Sequence, residues 1–175
     1  MQDILAIIAH PNLSISRVNK ARKEALQGIK NVLISDLYEK YPNFSIDIQK
    51  EQDLLLEHKK VLFCFPIHWY SYPVLLKKYF DEVLEKGFAY GVGGDKLKDK
   101  ELSLALSFGD REQSFLKGGR VGFSVDEILT PFKALCNHTG AIYKPHFAVF
   151  SATYGLDENG IDLNTKDFIK FVKNL

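Results

Sequence analysis

The sequence predicts a three-layer α/β domain: a five-stranded parallel sheet, in the order 2-1-3-4-5, with helices on both faces. Three observations predict it. Strand-like and helix-like stretches alternate along all 175 residues. Several of the strand-like stretches are continuous apolar runs, the mark of strands covered on both faces. No repeat, low-complexity tract or linker divides the chain, so 1–175 reads as one domain.

Ile4 to Ala9 is the first apolar run. Val18, Ala21, Ala25 and Ile29 then recur on one helical face, with Gly28 near the helix end. Val32-Leu33-Ile34 is a second strand, and a helix is expected within Asp47–His58, packed by Leu54, Leu55 and Leu56. Val61–Phe65 is the third strand and stops at Pro66. Val74–Leu84 is strongly helical, with Pro73 in its first turn, where a missing N–H does no harm. Leu102–Leu106 is the fourth strand. Ser124 can cap a helix running to Cys136, which Pro131 threatens to break. His146–Ala152 is expected as the fifth strand, and a last helix gathers Phe168, Phe171, Val172 and Leu175. Right-handed crossovers then leave the 2-1-3-4-5 order.

Composition excludes several classes. A net charge of +1 gives no electrostatic footprint for nucleic acid or an anionic membrane. Met1-Gln2-Asp3 carries no positive charge, and the Ile4–Ala9 run is too short for a signal core or a membrane span, so a cytoplasmic location is expected. Cys64 and Cys136 have no metal-ligand spacing, and Cys64, inside the apolar run Val61–Phe65, reads as a small buried hydrophobe.

A sheet of this kind binds ligands beyond the carboxyl ends of its strands. Three loops lie there. His10–Asn19 offers hydroxyls, an imidazole, an arginine and an amide at a helix N-terminus, a natural place for a phosphate; its bland reading is a Ser14 or Ser16 cap with His10 in an ordinary turn. It contains neither a Walker motif nor a G-x-G-x-x-G. Pro66–Tyr72 clusters His68, Trp69, Tyr70 and Tyr72, either a wall for a flat heteroaromatic ring or an aromatic patch that packs core or interface. Ser107–Glu112 has Gly109, where a ring can approach closely, or forms a simple turn. Together the three suit a phosphate-bearing flavin.

The residues also resemble a known family. Ala9-His10-Pro11 with Ser16 and Asn19-Lys20, and above all the stretch FPIHWYSYPVLLKKYFDEVLEKGFAY from Phe65 to Tyr90, are similar to flavodoxin-like NAD(P)H:quinone reductases. The pattern P-x-x-W-[YF]-x-x-P-x-x-L-K is the specific part. Asp36–Pro42, Ile46-Asp47-Ile48 and Glu51-Gln52 resemble the bacterial branch, which holds general stress protein 14 and the ancillary oxidoreductase subunits of glutathione-gated potassium efflux systems. The resemblance implies a flavodoxin-like fold and a bound FMN, with FAD as the other candidate. It implies two-electron, ping-pong hydride transfer from NAD(P)H to a quinone-like acceptor. His10, Ser16, Arg17, Val18 and Asn19 would hold the phosphate; Pro66, Ile67, His68, Trp69 and Tyr70 would line the ring; Ser107, Phe108, Gly109 and Asp110 would meet its far edge. Relatives are homodimers, and Tyr90 matches a position that reaches the partner subunit's substrate pocket, alongside Trp69 and Tyr70.

The third loop departs from the T-T-G-G usual in relatives: Phe108 and Asp110 crowd or charge it, and Phe115 stands where animal enzymes carry a tyrosine. Arg111 and the Gly109 backbone are the candidates for stabilising charge on the reduced ring. His68 reads as lining rather than as a proton donor. The other functional classes are a regulatory subunit docked on a membrane transporter and a one-electron carrier.

Overall fold

The computed structural model describes residues 3–175; Met1 and Gln2, which open the N-terminal stretch without positive charge, lie outside the described residues. Strands β1 (Ile4–Ile8), β2 (Val32–Asp36), β3 (Lys60–Pro66) and β4 (Glu101–Ser107) pair in parallel in the order β2-β1-β3-β4. The edge beyond β4 is shared by β5 (Ile142–Tyr143) and β6 (Phe147–Val149), both parallel to β4. The expected order therefore holds, with the fifth position in two pieces.

The fifth strand was expected at His146–Ala152. It starts earlier, at Ile142, and ends at Val149. Pro145 lies in the interruption, where a residue without an N–H cannot serve a ladder. Phe150 to Ala152 are thereby released into a loop, and Ser151 takes a left-handed φ of 56° there.

Alternation along the central strands builds the two cores. Leu5, Ile7, Val61, Phe63, Phe65, Leu104 and Leu106 point to one side. There they meet Leu55 of α3 (Ile48–Glu57), Leu76, Tyr79 and Val83 of α4 (Val74–Val83), and Phe132 and Cys136 of α6 (Thr130–Thr139). Ile4, Ala6, Ile8, Leu62, Cys64 and Ala105 point to the other side. They pack on Leu26 of α1 (Arg17–Gln27) and on Phe168 and Val172 of α7 (Glu158–Lys173). A period of two sends neighbouring residues to opposite faces, so an unbroken apolar run is what a strand between two helical layers requires. Each fully buried Leu or Phe contributes about 1.5–3 kcal/mol.

This layering places the ligand site. The helix after β1 lies on one face of the sheet and the helix after β3 lies on the other, while β1 and β3 are hydrogen-bonded neighbours. Chains that leave adjacent strand ends in opposite directions open a crevice between them.

Several local expectations shift. Pro73 is the N-cap of α4 rather than part of its first turn. A short helix α2 (Leu37–Lys40) follows β2, capped by Asp36, whose side chain accepts from the Glu39 N–H. The single helix expected from Ser124 to Cys136 is broken at Leu129 into α5 (Val125–Ile128) and α6, with Pro131 in the first turn of the second piece. Ser124 caps α5 in a reciprocal capping box with Glu127. The face of α1 differs most, since it buries Arg22 with Val18, Asn19 and Leu26. Both cysteines are free and buried. Among the described residues no helix is long and apolar enough to cross a membrane, and no three His, Cys, Asp or Glu side chains group as metal ligands.

Candidate functional site

The first loop reaches α1 through a 3-10 turn at Leu13–Ile15. Ser16 caps α1: its Oγ accepts from the Asn19 N–H at 3.3 Å and from Asn19 Nδ2 at 3.0 Å. The Ser16 carbonyl takes the Lys20 N–H at 3.0 Å. Among the described residues, the N–H groups of Arg17 and Val18 have no hydrogen bond to the protein. No acidic side chain occupies the first turn of α1. Two free N–H groups at the positive end of an 11-residue helix suit an anion.

The side chains of this loop divide. Arg17 borders the hollow but directs its guanidinium to the Leu156 carbonyl, at 2.8 Å, and to Glu158. Val18 is buried against Val149 and Ile161, so only its backbone can serve a ligand. His10 accepts the Asn12 N–H at Nδ1, 3.1 Å away. Burial, and next the neighbouring His68, hold the His10 pKa below the ordinary value.

The second loop is a tight turn. His68 and Ser71 exchange backbone hydrogen bonds of 3.1 and 2.9 Å, and the two residues between them are left-handed: Trp69 at φ 46° and Tyr70 at φ 61°. Two successive positive φ angles are the signature of a type I′ turn, a place for Asn-Gly. Two aromatic residues there carry strain of about 1–3 kcal/mol each. Trp69 is 94% exposed. The strain at Trp69 therefore has no compensating burial.

The third loop is tied to the others. The Ile67 N–H donates to the Ser107 carbonyl at 2.9 Å, and Asn19 Nδ2 donates to Ser107 Oγ at 3.0 Å. Phe108 donates to the Val149 carbonyl, and Ala152 to the Phe108 carbonyl, at 2.8 and 2.9 Å. The expected crowding by Phe108 is answered by burial of its ring. The ring is 1% exposed and stacks on Phe150 at 5.0 Å, with Phe115 4.8 Å away. Asp110 does bring a charge, and Arg120 pairs with it. That pairing, with the Arg111 N–H at 2.8 Å, pulls the Asp110 carboxyl down to about 2.

The loops enclose two adjoining hollows of about 260 and 170 Å³, which share Ile67, Phe108 and Gly109. The larger is bordered by His10, Ser16, Arg17, Asn19, Pro66, His68 and Ser107; the smaller by Trp69, Tyr70 and Asp110. A Cβ on Gly109 would stand 3.1 Å from Thr153 Oγ1, so a side chain there would intrude on the cleft wall. Val18, Arg111 and Tyr90 border neither hollow. Arg111 is exposed, and the Tyr90 ring leans on His138 with centroids 5.2 Å apart.

Sequence reasoning missed Ile15, Ala152, Thr153, Arg120 and Val121, which also border the cleft. Ala152 and Thr153 form a fourth carboxyl-end loop, hidden because the sequence pattern carries the fifth strand three residues past its end at Val149. Arg120 carried a faint signal, a cation between Gly119 and Gly122 at the far end of the same loop.

The sequence pattern of the family described as flavodoxin-like fold matches residues 2–170. An uncharacterized NAD(P)H oxidoreductase of Bacillus subtilis, YrkL, is 41% identical over 169 residues, covering 97% of each chain. The ancillary protein KefG of a glutathione-regulated potassium-efflux system from Yersinia pestis is 38% identical over 137 residues, covering 77% of this chain and 75% of its own. General stress protein 14 of Treponema denticola, solved in complex with FMN, superposes with a TM-score of 0.91 at 34% identity over 98% of both chains. An NADPH-quinone reductase from P. pentosaceus superposes at 0.89 with 31% identity over 99% of both. Matched over nearly its whole length by the family pattern and by these relatives, the chain belongs to the flavodoxin-like family.

Proposed function

We propose that this protein is an FMN-dependent NAD(P)H:quinone oxidoreductase. One observation carries the reading: a cleft with two unpaired helix N–H groups at one end and a strained, exposed aromatic turn at the other. That shape suits a ligand with an anionic tail and a flat ring. The FMN named with the Treponema denticola structure is such a ligand. Bound there, FMN supplies the group that takes a hydride from NAD(P)H and passes two electrons on.

The residues have separable tasks. The Arg17 and Val18 N–H groups, with Ser16, Asn19 and His10, hold the phosphate, and Arg17 adds charge at the rim. Pro66, Ile67 and His68 on one side, and Ser107, Phe108, Gly109 and Asp110 on the other, hold the ring by backbone and edge contacts. Trp69 and Tyr70 cover the reacting face, exclude water and stack the nicotinamide and then the acceptor at the same place. Shared occupancy of that place gives a ping-pong order. Arg120, on the cleft wall, is better placed than Arg111 to oppose negative charge on the ring, and it offsets Asp110. Tyr90, away from this cleft, serves the cleft of a second copy in a homodimer. The protein acts in the cytoplasm.

Purified protein should show flavin absorption, release FMN on denaturation and oxidise NAD(P)H with quinones along parallel double-reciprocal lines. A colourless protein that binds no added FMN overturns the proposal. The KefG likeness supports a second reading, a subunit docked on a transporter. Recovery from membranes with a transporter, together with no turnover of any quinone, would select it.

A further inference from the structure

Arg22 lies one turn into α1 from Asn19 and is 2% exposed. Its guanidinium meets neutral groups. One Nη donates to the Leu106 carbonyl at 3.0 Å and the other to Asn164 Oδ1 at 3.2 Å. The rings of Phe147 and Phe168 stand 5.0 and 5.3 Å from its central carbon. Nε has no partner, and among the described residues no carboxylate pairs with this side chain. Burial lowers its pKa to about 10, which leaves it a cation at neutral pH.

A buried cation without a counter-charge is costly. Ring faces pack against it, and a carbonyl and an amide oxygen take its Nη groups, but they leave Nε unpaired and do not neutralise the charge. A methionine would fill the same space among Phe147, Phe168 and Leu26 at less cost, so packing alone does not account for arginine here.

The surroundings point its field at one end of the cleft. Asn19 precedes it by three residues on the same helix, about 4.5 Å of rise, and borders the cleft. Leu106, which it grips, is the residue before Ser107, which also borders the cleft. Asn19 and Ser107 are bonded to each other. Arg22 thus sits directly behind the pair that backs the anion end. Protein rather than water fills the space around Arg22, so salt screens its field weakly.

We infer that Arg22 is a positioning residue, the buried counter-charge that makes the cleft select flavin as its phosphate ester over uncharged riboflavin. It need not touch the phosphate, because its charge adds to the two free N–H groups of α1. The inference rests on the FMN reading above.

Titration of the flavin-free protein with FMN and with riboflavin tests it. The wild type should prefer FMN. Arg22→Met should cut that preference on the order of tenfold, the scale of one partly screened charge acting on a phosphate, and Arg22→Lys should keep it. If Arg22→Met weakens both flavins equally, or Arg22→Lys loses the preference as fully as Arg22→Met, Arg22 only ties α1 to β4 and α7. Should Arg22→Met fail to fold, the ¹⁵N-labelled wild type decides. Its buried Arg22 Nε–H resonance should move with FMN and not with riboflavin, and an equal response to both overturns the inference. Wild type that binds neither flavin overturns the functional reading itself, whereas wild type that binds FMN with no change of preference across the variants overturns the Arg22 role alone.

Discussion

Asn19 and Ser107, 88 positions apart, are joined by reciprocal side-chain hydrogen bonds: Asn19 Nδ2 donates to Ser107 Oγ at 3.0 Å, and Ser107 Oγ to Asn19 Oδ1 at 3.4 Å. Both side chains are buried, and both border the cleft. The second amide hydrogen of Asn19 goes to the Ser16 cap, so one side chain fixes the helix start and joins it to the end of β4. Asn19→Ala should destabilise the fold by about 1–3 kcal/mol, the cost of stranding buried polar groups. It should also weaken FMN binding about tenfold. Urea unfolding and flavin titration measure the two. An Asn19→Ala protein with wild-type stability and affinity would show that the junction does not organise the cleft.

Trp69 and Tyr70 hold two left-handed φ angles in succession. Replacing them with Asn-Gly supplies the residues that a type I′ turn prefers. The double variant should gain at least about 1 kcal/mol, a rise in Tm of about 2–4 °C for a chain of this size. The same change should raise KM for NAD(P)H and the quinone, because the stacking wall is gone. A lower Tm would mean that the turn is not strained and that its aromatics stabilise the free protein.

The sheet was legible because β1, β3 and β4 are buried on both faces: β1 and β3 read as apolar runs, and the apolar centre of β4 is broken only by the buried Ser103. The cleft was legible wherever a loop directly follows such a strand. What failed had two physical causes. Arg22 was invisible because a hydropathy pattern counts arginine as polar, whereas here two phenylalanine faces and a carbonyl bury it. Ala152, Thr153 and Arg120 were missed because a β-strand boundary and an ion pair between residues 10 apart depend on tertiary contacts.

The ion pair of Asp110 with Arg120 separates two arginines that sequence alone could not rank. Arg120→Ala should release the Asp110 carboxyl from about 2 toward the ordinary value of about 3.9. In the wild type the pair's contribution is complete above the ordinary carboxylate pKa and fades as pH falls through the lowered one. Carboxyl-carbon NMR across that range reads both proteins. Arg120→Ala should also lower the flavin potential and kcat, whereas Arg111→Ala should leave them near wild type. The reverse ranking would return the electrostatic role to Arg111.

His10 and the start of α1 border the same hollow, so His10 tests whether a phosphate binds there. Its pKa is lowered chiefly by burial and then by His68. In the flavin-free protein it is therefore neutral at a pH where an unfolded chain already holds the proton. Its contribution to stability is full above the ordinary histidine value of 6.5 and is lost as pH falls below it. A phosphate held on the α1 N–H groups reverses the balance, since a nearby anion favours the imidazolium. The His10 ring resonance, followed by NMR, should titrate below the ordinary value without ligand and move upward when FMN is added. Riboflavin should leave it unmoved. A His10 that ignores FMN would place the phosphate elsewhere, even in a protein that binds the flavin tightly.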